Sequence, residues 1–210
     1  MNRSIRATAV SRRCASLHAF TIIELLVVIT IIIILAGLVL STIGYAQKKG
    51  ARSRAQTEVF ALAAAIESYR SDNGIVPRSA ATDDAAHAAN VHPTGGAPAN
   101  FIAACQDLYK ALSGDFDGNP ATKSAQDTKS YFTFKTNMLS TTSPAYIRDP
   151  FGNSYGYSTA YQADVEANPA NTTRPGYNPT FDLWSTCGET AKQPNGDTFQ
   201  QYQLRWVKNW

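Results

Sequence analysis

From Leu25 to Gln47 the chain carries no charged side chain over 23 consecutive residues. As a helix rising 1.5 Å per residue, that run measures about 35 Å. A bilayer's hydrocarbon core is about 30 Å thick, so the run is long enough to span it. No other feature of the 210 residues restricts the fold as strongly. The rest is polar and rich in Asn, Thr, Ser, Gly and Pro, which predicts one folded domain behind an apolar appendage.

The flanks of the run refine this. Residues 1–19 hold Arg3, Arg6, Arg12 and Arg13 and no acid, which more than accounts for the net charge of +3. The remainder is near neutral, so the basic balance marks a leader on the cytoplasmic side of a membrane and not a nucleic-acid surface. Lys48, Lys49, Arg52 and Arg54 follow the run, so charge alone leaves the orientation open. Glu24 sits at the run's first turn, where an unpaired carboxylate is costly, about 2.5–3.5 kcal/mol at mid-bilayer.

A secretory signal places small residues after its apolar stretch, and cleavage there removes that stretch. Here the small residue, Ala19, comes first and Phe20 follows. Phe20-Thr21-Ile22-Ile23-Glu24-Leu25-Leu26-Val27-Val28-Ile29 resembles the prepilin-type signal of type IV pilins and type II secretion pseudopilins, with Ala19 where that family usually has Gly. The resemblance implies cutting between Ala19 and Phe20 by a prepilin peptidase and N-methylation of Phe20. It breaks the orientation tie, placing the leader in the cytoplasm and the C-terminal domain in the periplasm, with one pass through the bacterial inner membrane. The amine freed at Phe20 is then a partner for Glu24 of a neighbouring copy in a helical fibre, a pairing that low dielectric strengthens.

After Lys48 the helical pattern continues. Ala55, Val59, Leu62, Ile66 and Tyr69 form one apolar stripe, and Asp72-Asn73-Gly74 followed by Pro77 supplies a stop. The reading is a single helix from Thr21 to Ser71, with residues 20–47 for membrane and polymerisation, 48–73 as its periplasmic amphipathic half, and 74–210 as a globular domain. A second, short helix is predicted on Phe101, Cys105, Leu108 and Leu112. Strands are predicted at 131–139, 154–161, 180–186 and 200–207, giving an α+β, pilin-like fold in which a small antiparallel sheet covers the long helix. Asp115 to Asn119 reads as a turn and not an EF-hand, since Pro120 stands where that loop needs Gly. His87 and His92, beside Asp83 and Asp84, read as solvated loop residues.

Asp149-Pro150-Phe151-Gly152 and Phe181-Asp182-Leu183-Trp184-Ser185 resemble the C-terminal pattern of the protein G-like major pseudopilins of type II secretion. That pattern ends in a calcium-holding loop. Here the loop has few acids, and Ser185, Glu189 and Asp197 are the candidate ligands the resemblance offers; no other cofactor is expected. Cys105 and Cys187 both fall in the exported part, and their spacing leaves open whether they pair or stay separate thiols.

No catalytic constellation is present, so an enzyme is not expected. The leading expectation is a structural subunit that self-associates, working with the peptidase, an inner-membrane assembly platform and the bilayer, in a fibre driven by a cytoplasmic ATPase for protein secretion. The alternatives are a type IV pilin or minor pilin of a surface filament and an anchored monomeric binding domain.

Overall fold

The computed structural model describes residues 20–89, 98–122, 124–189 and 198–210, without the side chains of 41, 42 and 98–100. The chain divides into two compact units, before and after the Ala46–Gln47 junction.

In the first unit, helix α1 (Ile22–Asn73) begins and carries the uncharged run. Every side chain described from Phe20 to Ala46 is exposed, including Ile22, Leu26, Ile33 and Leu40. A helix apolar on all sides, with none of the described residues packed over it, needs another apolar medium.

The second unit contains the remainder of α1. The predicted stripe is its buried face: Ala55, Val59, Leu62 and Ile66 are essentially inaccessible, and they join the same core as Leu108, Leu112, Ile147, Tyr155, Tyr157 and Leu183. Burying each such aliphatic side chain is worth about 1.5–3 kcal/mol. Helix α1 stops two residues later than expected, where Gly74 takes φ +80° and its N–H returns to the Arg70 carbonyl at 2.8 Å. A left-handed residue at this position is the usual reason a helix ends in glycine.

Helix α2 (Pro98–Ser113) contains the second predicted stripe, with Phe101, Cys105, Leu108 and Leu112 buried. The sheet is antiparallel, in the order β1 (Gly156–Ser158), β2 (Asp182–Ser185), β3 (Val207–Lys208). Between β1 and β2 lies helix α3 (Ala160–Ala167), and helix α4 (Phe199–Gln203) precedes β3. The register pairs Gly156 with Trp184 and Ser185 with Val207. The architecture is the expected one, a long helix packed on a small three-stranded antiparallel sheet.

Three of the predicted strands need correction. Residues 131–139 form no strand of the sheet: the Tyr131 and Phe132 amides both donate to the Leu112 carbonyl at the end of α2, Thr136–Met138 is a single 3-10 turn, and only Leu139 makes a bridge, to Ile147. The aromatic character that suggested a strand serves side-chain packing of Phe132 and Phe134 beside Tyr109. Of 200–207, only Val207 is strand. The Thr198 hydroxyl accepts the Gln201 amide and the Gln201 side chain accepts the Thr198 amide, a capping box that starts a helix instead. In 154–161 the strand is three residues long and α3 begins at Ala160. Asp115 to Asn119 is a turn, as expected, held by amide-to-carboxylate bonds at Asp115 and Asp117.

Candidate functional site

Two groups of residues were singled out for function, and they lie in different units.

The first is the start of α1. Thr21 and Glu24 form a reciprocal cap. The Thr21 amide and hydroxyl both donate to Glu24 Oε2 at 2.9 Å, and the Glu24 amide donates to Thr21 Oγ1 at 3.3 Å. This is the Thr-x-x-Glu capping box, and each half satisfies a helix N–H that has no partner within the helix. Glu24 therefore has a local role that the sequence reading did not assign, although the T-I-I-E spacing carried the signal. Phe20, Ile23, Val27 and Val28 line a shallow apolar groove of about 300 Å³ together with Glu24, and Phe20 is 79% exposed. Among the described residues, a single carboxylate thus stands among apolar side chains at the start of an exposed apolar rod. Ala19 lies outside the described residues.

The second group surrounds the two C-terminal motifs, which the fold joins through a buried hydrogen bond. Ser185 Oγ donates to Asp149 Oδ2 at 2.6 Å across 36 residues of sequence. The other Asp149 oxygen accepts the amides of Phe151 (3.0 Å) and Asn153 (2.8 Å), shaping the Pro150–Gly152 turn. Burial raises the Asp149 carboxyl above its usual range, and these hydrogen bonds, Ser185's first, pull it part of the way back. Nearby, the Tyr155 hydroxyl donates to Glu58 Oε2 at 2.7 Å, and Arg54 pairs with the other Glu58 oxygen at 2.7 Å, fastening the amphipathic half of α1 to the sheet side of the domain. Asp149 was legible as part of a motif, but its bond to Ser185 and the Glu58–Tyr155 bond were not, because the partners are far apart in the chain.

The candidate calcium ligands are engaged elsewhere where they are described. The Ser185 hydroxyl is fully buried and held by Asp149, and Glu189 faces Arg205 at 3.3 Å. Asp197 lies outside the described residues. Among the described residues no group of three or more His, Cys, Asp and Glu is placed to hold a metal ion. His87 stands 3.4 Å from Asp84, and His92 lies outside the described residues.

Cys105 and Cys187 are both free thiols, so the pairing left open by their spacing is not made. Cys105 is fully buried on α2, its Sγ donating to the Ile147 carbonyl at 3.3 Å, and burial pushes its thiol up to about 12. Cys187 is half-buried in the turn after β2, with Arg52 Nη1 3.9 Å from its sulfur. The two side chains are committed to different surroundings.

One buried acid makes stability depend on pH. Asp182 accepts the Tyr177 amide at 2.8 Å and the Asn178 amide at 2.9 Å, yet burial outweighs both and pushes its carboxyl up to about 6. An unfolded aspartate titrates near 3.9, so between about pH 4 and 6 the folded chain binds more protons than the unfolded one. Stability then falls as pH rises through that window, by about 3 kcal/mol in all from this group. Urea-unfolding midpoints measured across the window should show a slope that Asp182→Asn flattens by that amount; an unchanged slope in the variant would contradict the assignment.

No family model matches the chain, and no solved structure matches it. Over 82 residues, 39% of this chain and 54% of the relative, it is 33% identical to a protein named type II secretion system core protein G from Vibrio cholerae serotype O1. The chain spans about half the length of that curated relative. Partial homology to a type II secretion core protein joins a long N-terminal helix on a small antiparallel sheet, and together they make this chain similar to the pilin-like pseudopilins in sequence and in architecture.

Proposed function

We propose that the chain is a structural pseudopilin: anchored in the inner membrane by the first half of α1, processed between Ala19 and Phe20, N-methylated on Phe20, and polymerised into a periplasmic fibre that serves type II secretion. The observation that carries the reading is the apolar rod from Phe20 to Ala46, exposed at every described side chain, with Glu24 as its only charged side chain. Such a surface is stable in lipid and equally stable against copies of itself, so transfer between the two needs little net free energy. Glu24 supplies the register. In lipid its carboxylate rests on Thr21; in the fibre it gains the cationic amine at Phe20 of a neighbour, a group that exists only after cleavage.

Mass spectrometry of the N-terminus of the cellular protein tests this directly. The expected result is a chain beginning with N-methyl-Phe20; a working form that still begins at Met1 overturns the proposal. Deletion of the gene should block release of secreted proteins. If release continues and the subunit is instead recovered in purified surface filaments, the chain is a type IV pilin or minor pilin.

A further inference from the structure

Immediately after the uncharged run, the folded domain presents a cationic cavity of about 410 Å³. Lys48 and Arg52 line it from α1, Arg205 from the segment after α4, Phe151 from the first C-terminal motif and Cys187 from the turn just after the second, and Glu189 is the single carboxylate among the described lining residues. Among the described residues, three cations thus face one acid. The Glu189–Arg205 pair at 3.3 Å offsets one of the positive charges and leaves the described lining residues net cationic. Arg52 is fixed in plane by donating to the Arg205 and Trp206 carbonyls, with the Cys187 sulfur 3.9 Å from Nη1. Lys48 is exposed and is the first residue after Gln47. The volume suits a polyatomic anion better than a single ion, and guanidinium and ammonium groups are the usual partners of phosphate oxygens.

We infer that this cavity binds the phosphate group of an anionic phospholipid, so that the domain docks on the headgroup layer in which its own helix is anchored. The lipid is the favoured source because Lys48 follows the membrane-length run without an intervening residue, which puts the cavity's first cation at headgroup depth. The partly buried Phe151 ring gives the cavity an apolar wall beside its cations. The inference rests on the membrane-anchored part of the proposed function.

Cys187 is a built-in reporter, since it lines the cavity while Cys105 is buried in the core. The full chain would be reconstituted in vesicles of phosphatidylcholine alone or of phosphatidylcholine with phosphatidylglycerol. Reaction of Cys187 with a neutral, permeant maleimide would be followed by peptide mass spectrometry, which distinguishes it from Cys14 and Cys105. Phosphatidylglycerol should slow labelling about fivefold, the effect expected of one basic residue at an anionic surface. Lys48→Gln should abolish most of that protection and Lys48→Arg should keep it. Equal rates in the two lipids, or full protection in Lys48→Gln, would overturn the inference. Protection by inorganic phosphate alone in phosphatidylcholine vesicles would overturn the lipid as the ligand. A chain that fails to associate with vesicles of either kind would refute the anchor instead, so the two ideas fail separately.

Discussion

Glu24→Val should insert into membranes as well as the native chain and lose fibre formation, with at least about a tenfold drop in assembled subunit, equivalent to about 1.4 kcal/mol. Insertion should if anything improve, because a carboxylate near the edge of an apolar span is a cost that valine does not carry. Assembly should fail because the amine at Phe20 of each neighbour would enter an apolar environment without a counter-charge, and an unpaired buried charge is strongly unfavourable. Valine also removes the acceptor of the Thr21 amide and hydroxyl, half of the capping box at the start of α1. Loss of a cap is worth about 1 kcal/mol. Glu24→Gln separates the two effects. Glutamine is an accepted partner in a capping box, so it keeps the helix start while removing the charge. If both variants lose fibres, charge is the cause. If glutamine assembles normally and valine does not, Glu24 acts as a cap and the charge-pairing account is wrong. Electron microscopy of sheared fibres with quantitative immunoblotting reads the assembly, and carbonate extraction of membranes reads the insertion.

Gly156→Ala should strongly destabilise the folded domain although it adds a single methyl group. Gly156 lies opposite Trp184 in the β1–β2 register, and a β-carbon there would stand 2.1 Å from Trp184 Cε2 and 2.3 Å from Cζ2. The ring cannot move aside. Trp184 is fully buried, stacked 5.9 Å from Trp206 and set edge-on to Phe101 at 5.2 Å. Glycine inside a strand commonly marks such a close approach. Overpacking of this kind costs about 3 kcal/mol or more, which for a domain of this size lowers the thermal midpoint by about 6–12 °C. Thermal unfolding followed by tryptophan fluorescence would show it. A shift of less than about 2 °C, under 1 kcal/mol, would mean the sheet yields where the packing says it cannot. Pairing Gly156→Ala with Trp184→Phe tests the cause, because the smaller ring should recover part of the loss and the two changes should then be non-additive.

The long helix was legible residue by residue, because its signals are local. The uncharged run, the Ala55–Val59–Leu62–Ile66 stripe and the Asn73-Gly74 stop each act within a few residues of chain, and helical periodicity needs no knowledge of partners. The Asp115–Asn119 turn was readable for the same reason. Strands were read less well. YFTFKTNML has the aromatic and β-branched content of a strand, but Leu112 takes the amides that would have paired in a sheet. β-propensity reports a fit to a half-buried surface and does not say which surface is available. Helix α4 is hidden in the sequence although its Thr198–Gln201 box is present in the letters, because the aromatic and β-branched residues around it fit a strand equally well.

At the candidate site the division is sharper. The sequence alone determined that a membrane-length apolar rod ends in one carboxylate, since charge and hydropathy belong to each residue whatever surrounds it. It also marked Asp149 and Ser185 as parts of two motifs. Only the tertiary structure decided that these two meet in one buried hydrogen bond, that Cys105 and Cys187 remain separate thiols, and that Lys48, Arg52 and Arg205 face a common cavity. Those outcomes depend on bringing residues 36 and more than 150 positions apart together while Cys105 and Cys187 are held in different surroundings, and the free energy that does so is spread over the whole core and is not encoded at any one of them.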